Sequence, residues 1–202
     1  MTPWGALGVQ ALTVRHEVAH ALAYIACGLD FVALDLRNWI TTVRPGRYIH
    51  GFTAAQIAAA GMAVEVAAMA DQEASVSDAI DRAIGAWHET AEDVAAWPED
   101  ADEWSGSDLA STHGLLAVAL PWAWAFVQTN RDLIEELGAR FEEEPEVSYR
   151  TFMRALGARR PAGDGRAVSE AYNVLFGGVT ADRLAVVDSL VRQIEGGATG
   201  TI

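Results

Sequence analysis

From Leu7 to Cys27 the chain is rich in alanine and leucine, and the run closes at Gly28. That pattern predicts one helix with the glycine just past its end. Inside it stands His16-Glu-Val-Ala-His20. Residues four apart on a helix differ by about 40° in direction and about 6 Å in rise, so both imidazoles leave from one face. This is the spacing at which two nitrogens can hold one small ion. Glu17 lies about 100° round from His16, poorly placed as a third ligand in the same plane but able to reach a water on that ion. The plainer reading is two helix histidines satisfied by hydrogen bonds. A chance match is expected in on the order of 1% of chains this long, so the pentapeptide needs support from its surroundings.

Those surroundings change period at once. In "DFVALDLRNWITTV" the residues Phe31, Ala33 and Asp35 alternate with Val32, Leu34 and Leu36, which predicts a strand, with the segment from Arg47 to Phe52 as its expected partner. A helix is expected from Thr53 to about Met69, where Gly61 suggests close packing against a neighbour. An acidic segment from Asp71 to Asp108 reads as a helix over about 77–96 and an exposed loop. Further helices are expected over 108–120, from Pro121 to about Glu144, from a Ser148 cap to Leu156, and over 180–194. Val127, Ile134 and Phe141, seven apart and beside Leu133 and Leu137, define a buried stripe. Glu135, Glu136, Glu142, Glu143 and Glu144 read as a solvated face without chemistry, and "RRPAGDG" reads as a linker. The fold class is mainly α, an α+β arrangement with a small sheet after the histidine helix.

Composition narrows the function. Twenty-eight acidic residues against 14 basic ones give a formal charge of −14, which repels phosphate backbones and anionic membranes, so nucleic acid and membrane are not expected partners. Every basic residue is arginine; without lysine there is no P-loop and no Schiff base. Cys27, the single cysteine, reads as a reduced, buried thiol, and no secretory signal opens the chain, so a cytoplasmic location is expected. The apolar runs, interrupted at Glu65 and Pro121, fall short of the roughly 20 residues that span a bilayer.

A catalytic zinc site needs a third protein ligand. His50, His88, His113 and several carboxylates compete for the role. His88 and Glu92 are four apart but lie on an acidic stretch that reads as surface, and His50 serves equally as core or substrate contact. In "SGSDLASTHGLL" Asp108 falls near the first turn of a helix, a position that fixes a carboxylate's direction and equally suits an ordinary N-cap.

Four segments, in order, resemble the FtsH-type zinc metallopeptidase domain. "HEVAHALAYIACGLDFVALDLR" is similar to its His-Glu-x-Gly-His-Ala helix, loop and strand. "AAAGMAVEVAAM" resembles its "LGGRAAEE" helix, with Gly61 and Glu65 at matching places. "SGSDLAS" resembles its Gly-Ala-Ser-Asn-Asp segment, and "VQTNRDLIEELGARFEEEPEVSYRTFMRAL" its closing helices. The resemblance covers about residues 12–156. It implies a helical zincin-like domain over 1–160, an acidic insertion at 71–107, and a helical extension at 161–202. It further implies a Zn2+ held by His16, His20 and Asp108, with Glu17 as the general base. Counting about 30 extra residues before Asp108 leaves Asp78 as the rival third ligand. Ala19, Met62 and Val64 depart from the pattern without removing a ligand. The membrane anchor and ATPase module of that architecture have no counterpart, so the implied activity is an ATP-independent metalloendopeptidase acting on flexible peptides or a dedicated protein partner. Phe31, Val32, Ala33 and Leu34 are expected to form the edge strand on which an extended substrate lies. The contrasting expectations are a non-catalytic, metal-stabilised interaction module and a hydrolase of a non-peptide amide. Oligomeric state is not legible.

Overall fold

The computed structural model describes residues 3–37, 40–43, 51–72 and 119–176. A 3-10 turn at Trp4–Ala6 leads into helix α1, Val9–Ala26. Strands β1 (Phe31–Asp35) and β2 (Ile40–Val43) follow, and then the long helix α2, Gly51–Ala70. Residues 119–129 form helix α3, with α4 at Arg131–Phe141. The chain continues through β3 (Glu146–Ser148), α5 (Tyr149–Leu156) and α6 (Gly165–Phe176).

The centre of the fold is the α1–α2 pair. α1 buries residues all round its circumference, among them Val14, Val18, Leu22 and Tyr24 as well as Arg15 and Glu17. A helix covered on every side is a core helix, and its neighbours supply the rest of the shell. α2 matches it with Ala59, Ala60, Ala63, Val64 and Ala67, none more than 1% exposed. Residues Phe52–Ala70 are long and apolar enough to cross a membrane by length and composition, although the apolar run had read as too short. Here most of that helix is buried within the fold. α1 ends as its sequence predicts. Gly28 has φ 71°, and the amides of Gly28 and Leu29 return to the carbonyls of Ile25 and Tyr24, which caps the last turn.

The sheet is three-stranded and antiparallel in the order β2-β1-β3. β1 is therefore the central strand. The expectation that Phe31, Val32, Ala33 and Leu34 form an edge is corrected: Ala33 and Leu34 face Thr42 and Thr41 on one side and Ser148 and Val147 on the other. Their backbone groups are spent on those neighbours, and among the described residues β2 and β3 are the outer strands. The pairing partner is also nearer in sequence than expected, at Ile40–Val43. A register irregularity between Phe31 and Ala33 leaves Val32 exposed at 41%.

The expected helix from Pro121 to Glu144 is two helices. They meet at Asn130, whose side-chain amide donates to Phe126 O at 2.7 Å and Ala162 O at 2.9 Å and accepts from Ala162 N at 2.8 Å. Asn130 thereby ties the segment that read as a linker to the helix junction. The expected stripe is present, with Val127, Ile134, Leu137 and Phe141 buried, and Ser148 Oγ accepts from Thr151 N as a helix cap. Glu135 does not belong to a solvated face. Its carboxylate is engaged by Arg15 and by the Trp4 indole N–H. The expected helices at 77–96, 108–120 and 180–194 lie outside the described residues, apart from Ala119 and Leu120, which are helical.

Candidate metal centre

Helix α1 brings His16 and His20 together as their spacing requires. Their Nε2 atoms are 2.9 Å apart, and the rings meet edge to face at 79°. Each ring is held from behind by α2. His20 Nδ1 lies 2.7 Å from the carbonyl oxygen of Ile57, and His16 Nδ1 lies 2.9 Å from Glu65 Oε1, at an angle away from a straight hydrogen bond. Glu17 is buried on the same helix, and a ligand atom of each of His16, Glu17 and His20 lies within 4.8 Å of the others.

These contacts set the protons. A carbonyl or carboxylate oxygen only accepts, so both Nδ1 atoms carry hydrogen when the rings are neutral. With both hydrogens on Nδ1 the two Nε2 lone pairs face each other across 2.9 Å, an arrangement that a shared proton or a metal cation would satisfy. Burial opposes a charge on His16, but Glu65, with a smaller contribution from Glu17, outweighs it and raises the imidazole's pKa. Burial and the charge on His16 push His20 down to about 3, partly offset by the Ile57 carbonyl. A proton taken up by the pair therefore favours His16 over His20. The same helix face carries Tyr24, whose phenol is raised to about 12 by burial and by the charge on Glu17.

Space for the ion is made by the opposite helix. A Cβ on Gly61 would collide with Nε2 of both histidines, so the missing side chain leaves open the volume in front of the two donors. Zn–N bonds of about 2.0–2.1 Å in a tetrahedral site place two nitrogens about 3.3 Å apart, so the pair needs to open by only a few tenths of an ångström. Imidazole nitrogens backed by a carboxylate and a carbonyl are a donor set that suits zinc. The residues present fit the metal.

Asp108 and the rival Asp78 lie outside the described residues, as do His50, His88, His113 and Glu92. Of the expected site residues, the structure brings together His16, Glu17 and His20, and it assigns Phe31 to Leu34 to a central strand. Sequence reasoning had matched Gly61 and Glu65 to a family helix, giving Gly61 only a close helix contact and Glu65 no task, and it had no place for Ile57. The four-residue interval between Gly61 and Glu65, which puts them on one face of α2, is the signal that could have linked them to the equal interval on α1. No family model, curated protein or solved structure matches the chain.

Proposed function

We propose that this chain is an ATP-independent zinc metallopeptidase with a zincin-like, FtsH-peptidase-type site. The observation that carries the reading is the convergence of two half-buried histidine nitrogens, each ring backed by an acceptor, onto the space left by Gly61. His16 and His20 would hold the ion, with Asp108 as the third ligand by resemblance and Asp78 as its rival. When bound, zinc supplies Lewis-acid polarisation of a carbonyl and a lowered pKa for water.

The chain's own residues do the rest. Ile57 O and Glu65 keep both Nδ1 atoms engaged, so the Nε2 lone pairs stay presented to one point. Glu17, one residue from His16 and buried, takes a proton at its carboxylate and returns it to the leaving amine. Its burial keeps bulk solvent from competing for that proton. Strand addition of an extended peptide, if used, goes to the outer strands β2 or β3, because β1 is paired on both sides.

The test compares wild type with Glu17→Gln. Both are expected to bind one zinc by metal analysis, and only wild type to cleave a library of flexible peptides. Equal zinc with no cleavage by either protein sinks the peptidase reading. Retained zinc in Asp108→Ala with loss in Asp78→Ala reassigns the third ligand.

A further inference from the structure

Arg15 directly precedes the first histidine and is itself buried, 2% exposed in an apolar helix. α4 contains a socket shaped for it. Glu135 receives the fork of the guanidinium, Nε to Oε2 at 2.8 Å and Nη2 to Oε1 at 2.7 Å, while Nη1 donates to Ala11 O at 2.8 Å and to Glu142 at 3.3 Å. Between those carboxylates Gly138 makes room for the stem: a Cβ there would sit 2.6 Å from Arg15 Cγ. Glu135 is held in turn by the Trp4 indole, 2.8 Å away.

We infer that Arg15 is a positioning residue: by fixing the rotation of α1 against α4 it aims both imidazoles at the space over Gly61. At 100° per residue, Arg15 lies about 120° round the helix from the mean direction of His16 and His20. The fork is therefore on one side of the axis and the metal site on another. A 20° turn of α1 moves atoms about 5–6 Å from its axis by about 2 Å, the length of a whole Zn–N bond. Against such a turn the described α1–α2 seam sets two polar contacts, both made by the imidazoles themselves, and otherwise mainly apolar surface. Its faces are rich in alanine, with Ala19 and Ala23 on one helix and Ala59, Ala60 and Ala63 on the other, and apolar burial is not directional. A two-bonded fork is directional. It resists rotation where alanine surfaces slide.

The inference rests on the metal-centre reading, and its test separates the two. Full-length wild type, Arg15→Lys and Glu135→Gln are prepared metal-free with 15N-histidine, the imidazole nitrogens of His16 and His20 are followed by NMR, and zinc affinity is measured by chelator competition. Lysine keeps the charge but offers one ammonium in place of the fork, and glutamine keeps the shape of Glu135 without its charge. Expected are displaced or broadened imidazole signals in both variants and a loss of about tenfold in zinc affinity. Imidazole signals identical to wild type in the folded variants, with only the melting temperature lowered, overturn the inference and leave the pair a structural brace. Imidazoles that respond in a protein whose wild type binds no zinc keep the positioning role and sink the metal reading.

Discussion

Helix α1 meets two partners through the same device, a charged or titratable side chain set against a glycine, and the two contacts end differently. On the α4 side, the Arg15 guanidinium fills the space over Gly138, with three of its nitrogen atoms donating to Glu135, Ala11 and Glu142. On the α2 side, His16 and His20 are held only from behind, and their two Nε2 atoms face one another over Gly61. A closed network specifies packing, whereas two imidazole nitrogens brought to 2.9 Å are the arrangement on which the metal proposal rests. Burial alone, which Arg15 and Glu17 share, does not distinguish a brace from a site.

The sharpest break in this comparison is Glu17→Gln, which is expected to cost about 10²- to 10⁴-fold in peptide cleavage while zinc content stays that of wild type. Initial rates on a flexible peptide measure it. Next is Glu135→Ala, which removes the two-bonded carboxylate and leaves the buried Arg15 with the longer 3.3 Å contact to Glu142, and is expected to destabilise the fold by about 3 kcal/mol in urea unfolding. Gly61→Ala follows. Its methyl group enters the space between the imidazoles, and the expected results are loss of zinc by metal analysis and a packing cost of about 1–3 kcal/mol. Unchanged zinc in Gly61→Ala would show that the two glycines play one role and would end the contrast.

The smallest effect is acid sensitivity. Arg15, followed by the Trp4 indole, holds the Glu135 carboxyl below its ordinary 4.5 against the opposing effect of burial. The unfolded chain then takes up this proton first as pH falls. The pair's stability is full above about 4.5 and is lost as pH drops through the lower folded value. Urea midpoints at pH 6 and pH 3.5, in wild type and in Glu135→Gln, measure that share. The expected fall is smaller in the variant.

What could be read beforehand was local. The histidine spacing, the Gly28 and Ser148 caps and the stripe from Val127 to Phe141 each depend on a few neighbouring residues. Gly61 was legible as a close approach, though not what approached it. The failures are contacts between distant parts of the chain. The strand partners of β1 come from Ile40–Val43 and from Glu146–Ser148, the latter more than a hundred residues on, and alternation in β1 says nothing of which segments flank it. Glu135 looked like the other glutamates around it, because its partner is 120 positions away. The half of that pair that sequence could have flagged, and did not, is Arg15, because a charge beside Val14 in an apolar helix needs a partner once buried. The helix break at Asn130 had no proline or glycine to announce it, since a side-chain amide does the work there.

Thr53 Oγ1 donates to Ser169 Oγ at 2.9 Å, and Ser169 Oγ donates onward to the amide oxygen of Gln56, a residue fully enclosed between α2 and α6. The last described helix is thus stitched to α2 by polar groups of which Gln56 and Ser169 are buried. A chain trimmed near residue 160 would bare Gln56 and the apolar side chains beside it, and would be expected to clump on expression or fall to proteases. Anyone wanting the histidine helix and its α2 partner alone would therefore have to carry α6 with them.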